Sequence, residues 1–168
     1  MNTPVPIPSF IQSLKYLEID ECLRPLEELK MMVGGPGVYI DGDLYFGRFV
    51  NGRRHGLGLE EFQNGEYYFG HFNEDLFHGE GLYLWSQEEY FFGHFELGQK
   101  VWGRLEGPVK YQGGFQNNRR HGEGTCWYPS GEIYTGEWLN GKKHNKGTII
   151  EPSGNKFVGT WEKGKRRG

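Results

Sequence analysis

Apolar and polar positions alternate along most of this chain, and the alternation recurs as a unit. An aromatic residue opens each unit, at Tyr45, Tyr68, Phe91, Tyr111, Tyr134 and Phe157. Gly follows two positions later, at Gly47, Gly70, Gly93, Gly113, Gly136 and Gly159. Phe or Trp follows four positions later, at Phe49, Phe72, Phe95, Phe115, Trp138 and Trp161. By subtraction, the openings are 23, 23, 20, 23 and 23 residues apart. A period of two is that of a strand, so these three positions share one face. The Gly between two aromatics leaves bare backbone on which a neighbouring ring can lie.

Turn chemistry divides the units. Asn51-Gly52 and Asn140-Gly141 are strong hairpin signals. The seventh position after each opening is Gly52, Asp75, Gly98, Asn118, Gly141 or Gly164. All three residue types tolerate φ > 0, which that position requires. A return strand begins at His55-Gly56-Leu57-Gly58, His78-Gly79-Glu80-Gly81 and His121-Gly122-Glu123-Gly124. Asn64-Gly65, Pro129-Ser130-Gly131 and Pro152-Ser153-Gly154 then turn the chain into the next unit. Each unit is therefore expected to be one β-hairpin, with successive hairpins pairing into one antiparallel sheet. About twelve strands at ~4.8 Å give a rod of roughly 55–60 Å.

Departures from the pattern are informative. The third unit is three residues short and carries Val101-Trp102-Gly103-Arg104 in place of His-Gly-x-Gly. A bend, bulge or altered register is expected there, with Val101 to Lys110 outside regular pairing. Trp102 stands where other units place the first Gly, either as an exposed interface anchor or as a locally repacked ring. Asn145 replaces that Gly in the fifth unit, and the sixth ends after its turn. Ahead of the units, Pro4, Pro6 and Pro8 make an extended arm of Met1 to Pro8. After Ser9, the apolar residues Phe10, Ile11, Leu14 and Leu17 have the helical period. A second helix is predicted from Pro25 to Gly34-Gly35, with Leu26, Leu29, Met32 and Val33 on its apolar stripe. The organisation is thus an arm and helical cap over 1–33, then a repeat sheet over 34–168. That sheet comprises a partial unit, five units with a degenerate third, and a truncated sixth. The helices are expected to cover the first open edge of the sheet, or else to dock a partner.

The consensus Y-x-G-x-W-x-x-G-x-x-H-G-x-G resembles the MORN repeat family, from about Gly34 to Gly168. The resemblance implies an elongated, twisted, grooved sheet. The expected fold is mostly β: a single antiparallel sheet of stacked hairpins with a short N-terminal helical cap, rather than a closed barrel. The resemblance also implies an adaptor in a ciliary, flagellar or cytoskeletal assembly, hence a cytoplasmic location. Association with phospholipids is the second functional implication.

Composition and charge narrow this picture. The 28 Gly and the 12 Phe, 10 Tyr and 5 Trp suit a thin sheet of rings on glycine. No apolar run is long enough for a membrane helix, and Met1 to Pro8 lacks the pattern of a secretory signal. Glu60 to Gly107 has ten acidic and two basic residues, and Lys142 to Gly168 has eight basic and two acidic. That asymmetry bears on partner orientation. Confined to one end, the basic charge does not favour nucleic acid.

Candidate chemistry is sparse. His55, His78, His121 and His144 share one repeat position, so neighbouring ones lie about 9–10 Å apart. Zinc ligands must converge within about 2 Å of one ion, so no metal site is expected. No nucleophile elbow, phosphate loop or H-E-x-x-H motif occurs, and neither an enzyme nor a cofactor is expected. The expected protein-binding groove is lined by Tyr45, Phe49, Tyr68, Phe72, Phe95, Tyr111, Phe115, Tyr134, Trp138 and Trp161, and takes an extended or helical peptide. A basic end, Lys142, Lys143, Lys163, Lys165, Arg166 and Arg167, is the expected contact for anionic lipid. The strand Phe157 to Glu162 is the expected open edge, where a partner adds a strand or a second copy pairs.

Overall fold

A computed structural model describes residues 22–168. Thirteen strands form one sheet in chain order, each pairing antiparallel with its sequence neighbours. They are β1 Val38–Ile40, β2 Asp43–Val50, β3 Arg53–Glu61, β4 Tyr67–Asn73, β5 Leu76–Leu84, β6 Tyr90–Glu96 and β7 Gln99–Glu106. Then follow β8 Lys110–Gln116, β9 Arg119–Trp127, β10 Ile133–Leu139, β11 Lys142–Ile150, β12 Lys156–Glu162 and β13 Lys165–Arg166. The described chain is therefore mostly β, an open sheet of stacked hairpins, with a short helix, α1, at Leu26–Val33.

The tight turns obey their chemistry. Both central residues have positive φ in all seven two-residue turns, from Asp41-Gly42 to Lys163-Gly164, for example Asn140 at 49° and Gly141 at 85°. This is the primed turn whose twist matches the flanking strands. All six seventh positions take φ > 0 as expected.

The His-Gly-x-Gly motif forms a bulge, not a turn. Between β2 and β3, Gly47 faces Gly58 and the next residue, Arg48, faces His55. Two extra residues of the return strand, Gly56 and Leu57, are accommodated, with Gly56 at φ 75°. Gly79, Gly122 and Asn145 take the same left-handed conformation. In the third hairpin, His94 faces Trp102 and Phe95 faces Lys100, so one extra residue remains. The other two missing residues come from the loop between β7 and β8: Gly103 faces Gly113, ten residues on, whereas Gly58 faces Gly70, twelve on. Altered register is therefore observed, but the expected loss of pairing over Val101 to Lys110 is not. β7 pairs with both β6 and β8. Leu97-Gly98 makes the turn upstream of the missing motif, so the hairpin closes without it.

Helix α1 follows its sequence signals. Pro25 precedes it, Glu27 and Glu28 occupy the first turn, and Gly34 ends it at φ 71°, its N–H donating to the Lys30 carbonyl at 3.1 Å. Leu29 and Met32 are buried against Leu57, Leu59 and Phe69. The helix thus lies flat on one face of the sheet, over β2 and β3, and not across its open edge. Its apolar stripe finds more apolar surface on that face than three-residue β1 offers; Tyr39 on β1 remains 76% exposed. The expectations for Met1 to Pro8 and for a helix after Ser9 lie outside the described residues.

Phe157 to Glu162 is not a bare edge. The Lys163-Gly164 turn returns the chain, pairing Trp161 with Arg166 and Glu162 with Lys165. The Thr160 N–H donates to the Gly168 carbonyl at 3.1 Å, and the Arg167 N–H to the Thr160 carbonyl at 2.7 Å. The turn chemistry begins a further hairpin, whose return strand covers half of β12.

Candidate binding faces

The repeat aromatics form a continuous ladder on one face. Tyr45 meets Phe49 edge-on at 5.1 Å between centroids and Phe72 of the next repeat at 5.3 Å. The pattern continues through Tyr68, Phe91 and Tyr111 to Tyr134, which contacts Trp138 at 5.1 Å and Trp161 at 5.2 Å. Edge-to-face contact suits the ring quadrupoles. Five of the six leading rings, from Tyr45 to Tyr134, lie over a cross-strand glycine pair, such as Gly136 and Gly147 beneath Tyr134. The four leading tyrosine hydroxyls donate to the carbonyl three residues on: Tyr45 to Arg48 (2.9 Å), Tyr68 to His71 (2.7 Å), Tyr111 to Gly114 (2.8 Å) and Tyr134 to Glu137 (2.8 Å). Trp138 Nε1 donates to the Gly124 carbonyl at 3.1 Å.

These contacts correct the expected groove. Tyr45, Tyr68, Phe72, Phe95, Tyr111, Tyr134, Trp138 and Trp161 are buried. Phe115 is half-buried, and only Phe49 is exposed. The rings fill the space that the glycines leave, so the ladder is core and not an open groove.

A second row on this face was not anticipated. Nine residues after the openings stand Arg54, Lys100, Arg120, Lys143 and Arg166, with Phe77 in the second repeat. Arg120 lies 5.1 Å from the Trp138 centroid, Lys143 lies 4.9 Å from that of Tyr128, and Arg166 lies 4.7 Å from that of Phe157. Lys100 sits among Trp85, Phe91 and Phe115 at 5.0, 5.5 and 5.9 Å. Phe77 instead stacks on Tyr68 at 3.8 Å. A cation over a ring face is attracted by the quadrupole. The signal was present in the spacing, but Arg and Lys near a turn read as solvated edge charge. Lys143 and Arg166 therefore belong to the ladder and not to a free basic end.

Electrostatics in this row follow burial and pairing. Arg54 donates from its backbone N–H to Asp75 Oδ1 at 2.8 Å and from Nη1 to Glu60 Oε1 at 2.7 Å. The Arg54 N–H first, then its guanidinium, hold the Asp75 carboxyl below its ordinary range. Burial pushes Glu60 up despite the same guanidinium, because desolvation outweighs the ion pair. Burial alone lowers Lys100.

The opposite face has two halves. Toward the N-terminal end it is apolar, with Leu57, Leu59, Tyr67, Phe69, Leu82 and Leu84 buried in one cluster with α1. Toward the other end it is polar and open. Trp102 is 52% exposed there and Trp127 37%, so Trp102 stands as the exposed ring of the two expectations. Two hollows adjoin on this half, sharing Gln112 and Trp127. One, about 560 Å³, reaches Arg104, Pro108, Tyr128 and Pro129. The other, about 360 Å³, reaches Trp102, Glu123, Thr125 and Thr135. Arg104 and Lys110 both engage Glu106, at 3.1 and 3.5 Å. Trp127 carried no sequence signal, because alternation tells which residues share a face and not which face is left uncovered.

At the turn edge, Arg119, Lys142 and Lys163 surround a third hollow of about 360 Å³, with Leu139, Asn140 and Glu162. Glu162 is paired with Arg167. Two of the histidines make local contacts: His94 lies 3.5 Å from Glu80 and 3.4 Å from Glu96, and His121 Nδ1 accepts the Asn140 N–H at 3.4 Å. Among the described residues, no three His, Cys, Asp or Glu side chains are grouped to hold a metal ion. Cys126 Sγ is buried in the ladder and accepts from Arg120 at 3.5 Å.

Comparison with known proteins fits this geometry. No curated protein matches the chain. The family model described as MORN repeat matches residues 45–67, 68–87, 111–133 and 134–156, together just over half of the chain. The unmatched interval between the second and third matches holds the hairpin whose return strand lost its Gly bulge. Repeats of this kind generally mediate protein or membrane interactions. With ladder, bulged hairpins and matched repeats in register, the chain belongs to the MORN-repeat family.

Proposed function

We propose that this chain is a non-enzymatic protein-binding scaffold that uses the open half of the α1-bearing face. The observation that carries this reading is the pairing of exposed Trp102 and Trp127 with adjoining hollows on that half. Large aromatic rings beside concave surface are the residues that dominate protein interfaces. The ladder aromatics hold the sheet together and leave little free surface for a partner. We further propose a cytoplasmic place in a cytoskeletal or ciliary assembly; that part rests on the family resemblance alone. The test is affinity capture from native extract with wild type and a Trp102→Ala, Trp127→Ala variant. The variant keeps its melting transition and loses specific partners; an unchanged set of bound proteins overturns the reading.

A second reading has its own support. Arg119, Lys142 and Lys163 converge on one hollow, and Lys165 lies on β13. Clustered cations of this kind gain about 1 kcal/mol each near anionic lipid. Salt-sensitive pelleting with anionic vesicles, lost on changing Arg119, Lys142 and Lys163 to Glu, supports a membrane-binding edge. Absence of pelleting at low salt overturns it.

A further inference from the structure

We infer that the open half of the α1-bearing face takes a basic, extended segment of a partner protein. Its Arg lies on Trp102 and reaches Glu123, and an apolar side chain four residues away fills the hollow beside Trp127. The inference rests on reading this face as the binding face, and adds the chemistry of what binds there.

Unbalanced charge is the first argument. Glu123 on β9 and Glu137 on β10 stand directly opposite each other. Opposed residues of an antiparallel pair share a face, and like charges placed so repel. Glu123 is exposed, and Glu137 Oε2 accepts the Lys146 backbone N–H at 3.1 Å. Among the described residues no cationic side chain pairs with either carboxylate. Arg104 and Lys110, at the adjoining hollow, are engaged by Glu106. With exposed Lys146 on β11 set against the two acids, one negative charge still remains.

A seat for a guanidinium is the second. Trp102 is exposed, and the residue facing it on β8 is Gly114. A side chain at Gly114 would collide with the His121 carbonyl, so that position stays bare. Gly113 and Gly124 line the hollow that also holds Trp102 and Glu123. An indole face, bare backbone and a carboxylate rim suit Arg, whose plane stacks on the ring and whose fork reaches the carboxylate. The ladder face uses the same chemistry, with Arg120 at 5.1 Å from the Trp138 centroid. Among the described residues, cations cover Trp85 and Trp138 but not Trp102.

Spacing is the third. Glu123, Thr125 and Trp127 alternate along β9 and line this one hollow. Four residues of strand span about 13 Å. An extended segment likewise places two side chains four residues apart on one side, about 13 Å from each other. At the Trp127 end, Pro108, Tyr128 and Pro129 offer apolar surface for the second side chain. Gln112 and Thr125 lie between the two ends, where they can bond the segment's backbone.

The test follows indole N–H signals while the protein is titrated at low salt with Gly/Ser peptides that carry Arg and Leu four positions apart, in either order. Signals are assigned through Trp102→Phe and Trp127→Phe. The Trp102 and Trp127 indoles shift, and those of Trp138 and Trp161 stay unmoved. Citrulline in place of the peptide's Arg weakens binding roughly tenfold or more, as loss of a charge-assisted hydrogen bond implies. Glu123→Gln, Glu137→Gln weakens it similarly without lowering the melting temperature, because a repelling pair has gone. Equal binding of the Arg and citrulline peptides, or no shift with either, overturns the inference. Shifts that grow with protein concentration alone assign the face to a second copy and overturn it too. Failure of the binding-face reading is seen separately, as unchanged partner capture by the Trp102→Ala, Trp127→Ala variant. If that variant loses its partners while Glu123→Gln, Glu137→Gln keeps them all, the face binds but the basic segment is overturned.

Discussion

Leu97 holds φ at 49° in the turn between β6 and β7, and its side chain is 75% exposed. An L-residue in the left-handed region is strained, and Leu has neither the polar side chain of Asn nor the freedom of Gly. Asn stands at the matching position of three other turns, as Asn51, Asn117 and Asn140. Leu97→Asn is therefore expected to raise stability by roughly 0.5–1.5 kcal/mol, read from the urea midpoint. Tyrosine ionisation gives a second residue-scale prediction. Burial pushes Tyr45 and Tyr134 up to about 12. A group whose folded pKa is raised contributes stability that is complete below its unfolded value, about 10, and is lost as pH rises through the folded one. Alkaline titration followed by circular dichroism should show stability falling between those values. In Tyr45→Phe, Tyr134→Phe that alkaline slope is shallower; an identical slope would place the loss in other groups. Residue identity revealed the positive-φ turns because turn chemistry is local. It did not reveal the cations over the rings, since that contact joins a turn-proximal residue to rings of two repeats.

The hairpins are linked by a bond that the junction between the third and fourth lacks. The N–H at the seventh position of one repeat donates to the carbonyl nine positions into the preceding repeat. Asp75 donates to Arg54 (3.1 Å), Gly98 to Phe77 (2.9 Å), Gly141 to Arg120 (2.8 Å) and Gly164 to Lys143 (3.0 Å). No backbone bond from Asn118 to Lys100 accompanies them among the described residues. In a primed turn this N–H has no partner within its own hairpin, so the neighbouring repeat is its structural acceptor. Native-state hydrogen exchange should find the Asn118 amide at least roughly tenfold less protected than those of Gly98 and Gly141, as loss of about 1.4 kcal/mol implies. Equal protection would show that the junction between the third and fourth hairpins is as tight as the rest. The short third unit was visible as a 20-residue spacing. How three missing residues divide between bulge and loop was not, because pairing with β6 and β8 decides it. The helix at Leu26–Val33 was likewise legible from its stripe, whereas its seat on a face depended on the apolar half of a sheet assembled from distant strands.

At the scale of the molecule, the sheet separates two tasks between its faces. One face buries rings on glycine and covers them with cations, so each repeat leans on the next, as expected of a quasi-one-dimensional stack. The other face is closed by α1 over β2 and β3 and open around β7 to β10. Alternation along the strands told which residues share a face, but not which face is free. Freedom depends on what the neighbouring repeats and the helix cover. Tyr45 to Trp161 therefore read as a groove, while Trp127 drew no notice. Hydroxyl-radical footprinting of the tryptophans, in the free protein and in its native complex, tests this division most directly. Trp102 and Trp127 should be labelled rapidly in the free protein and protected in the complex, with Trp138 and Trp161 slow in both. Rapid labelling of Trp138 and Trp161 in the free protein, or protection that spares Trp102 and Trp127, would contradict it.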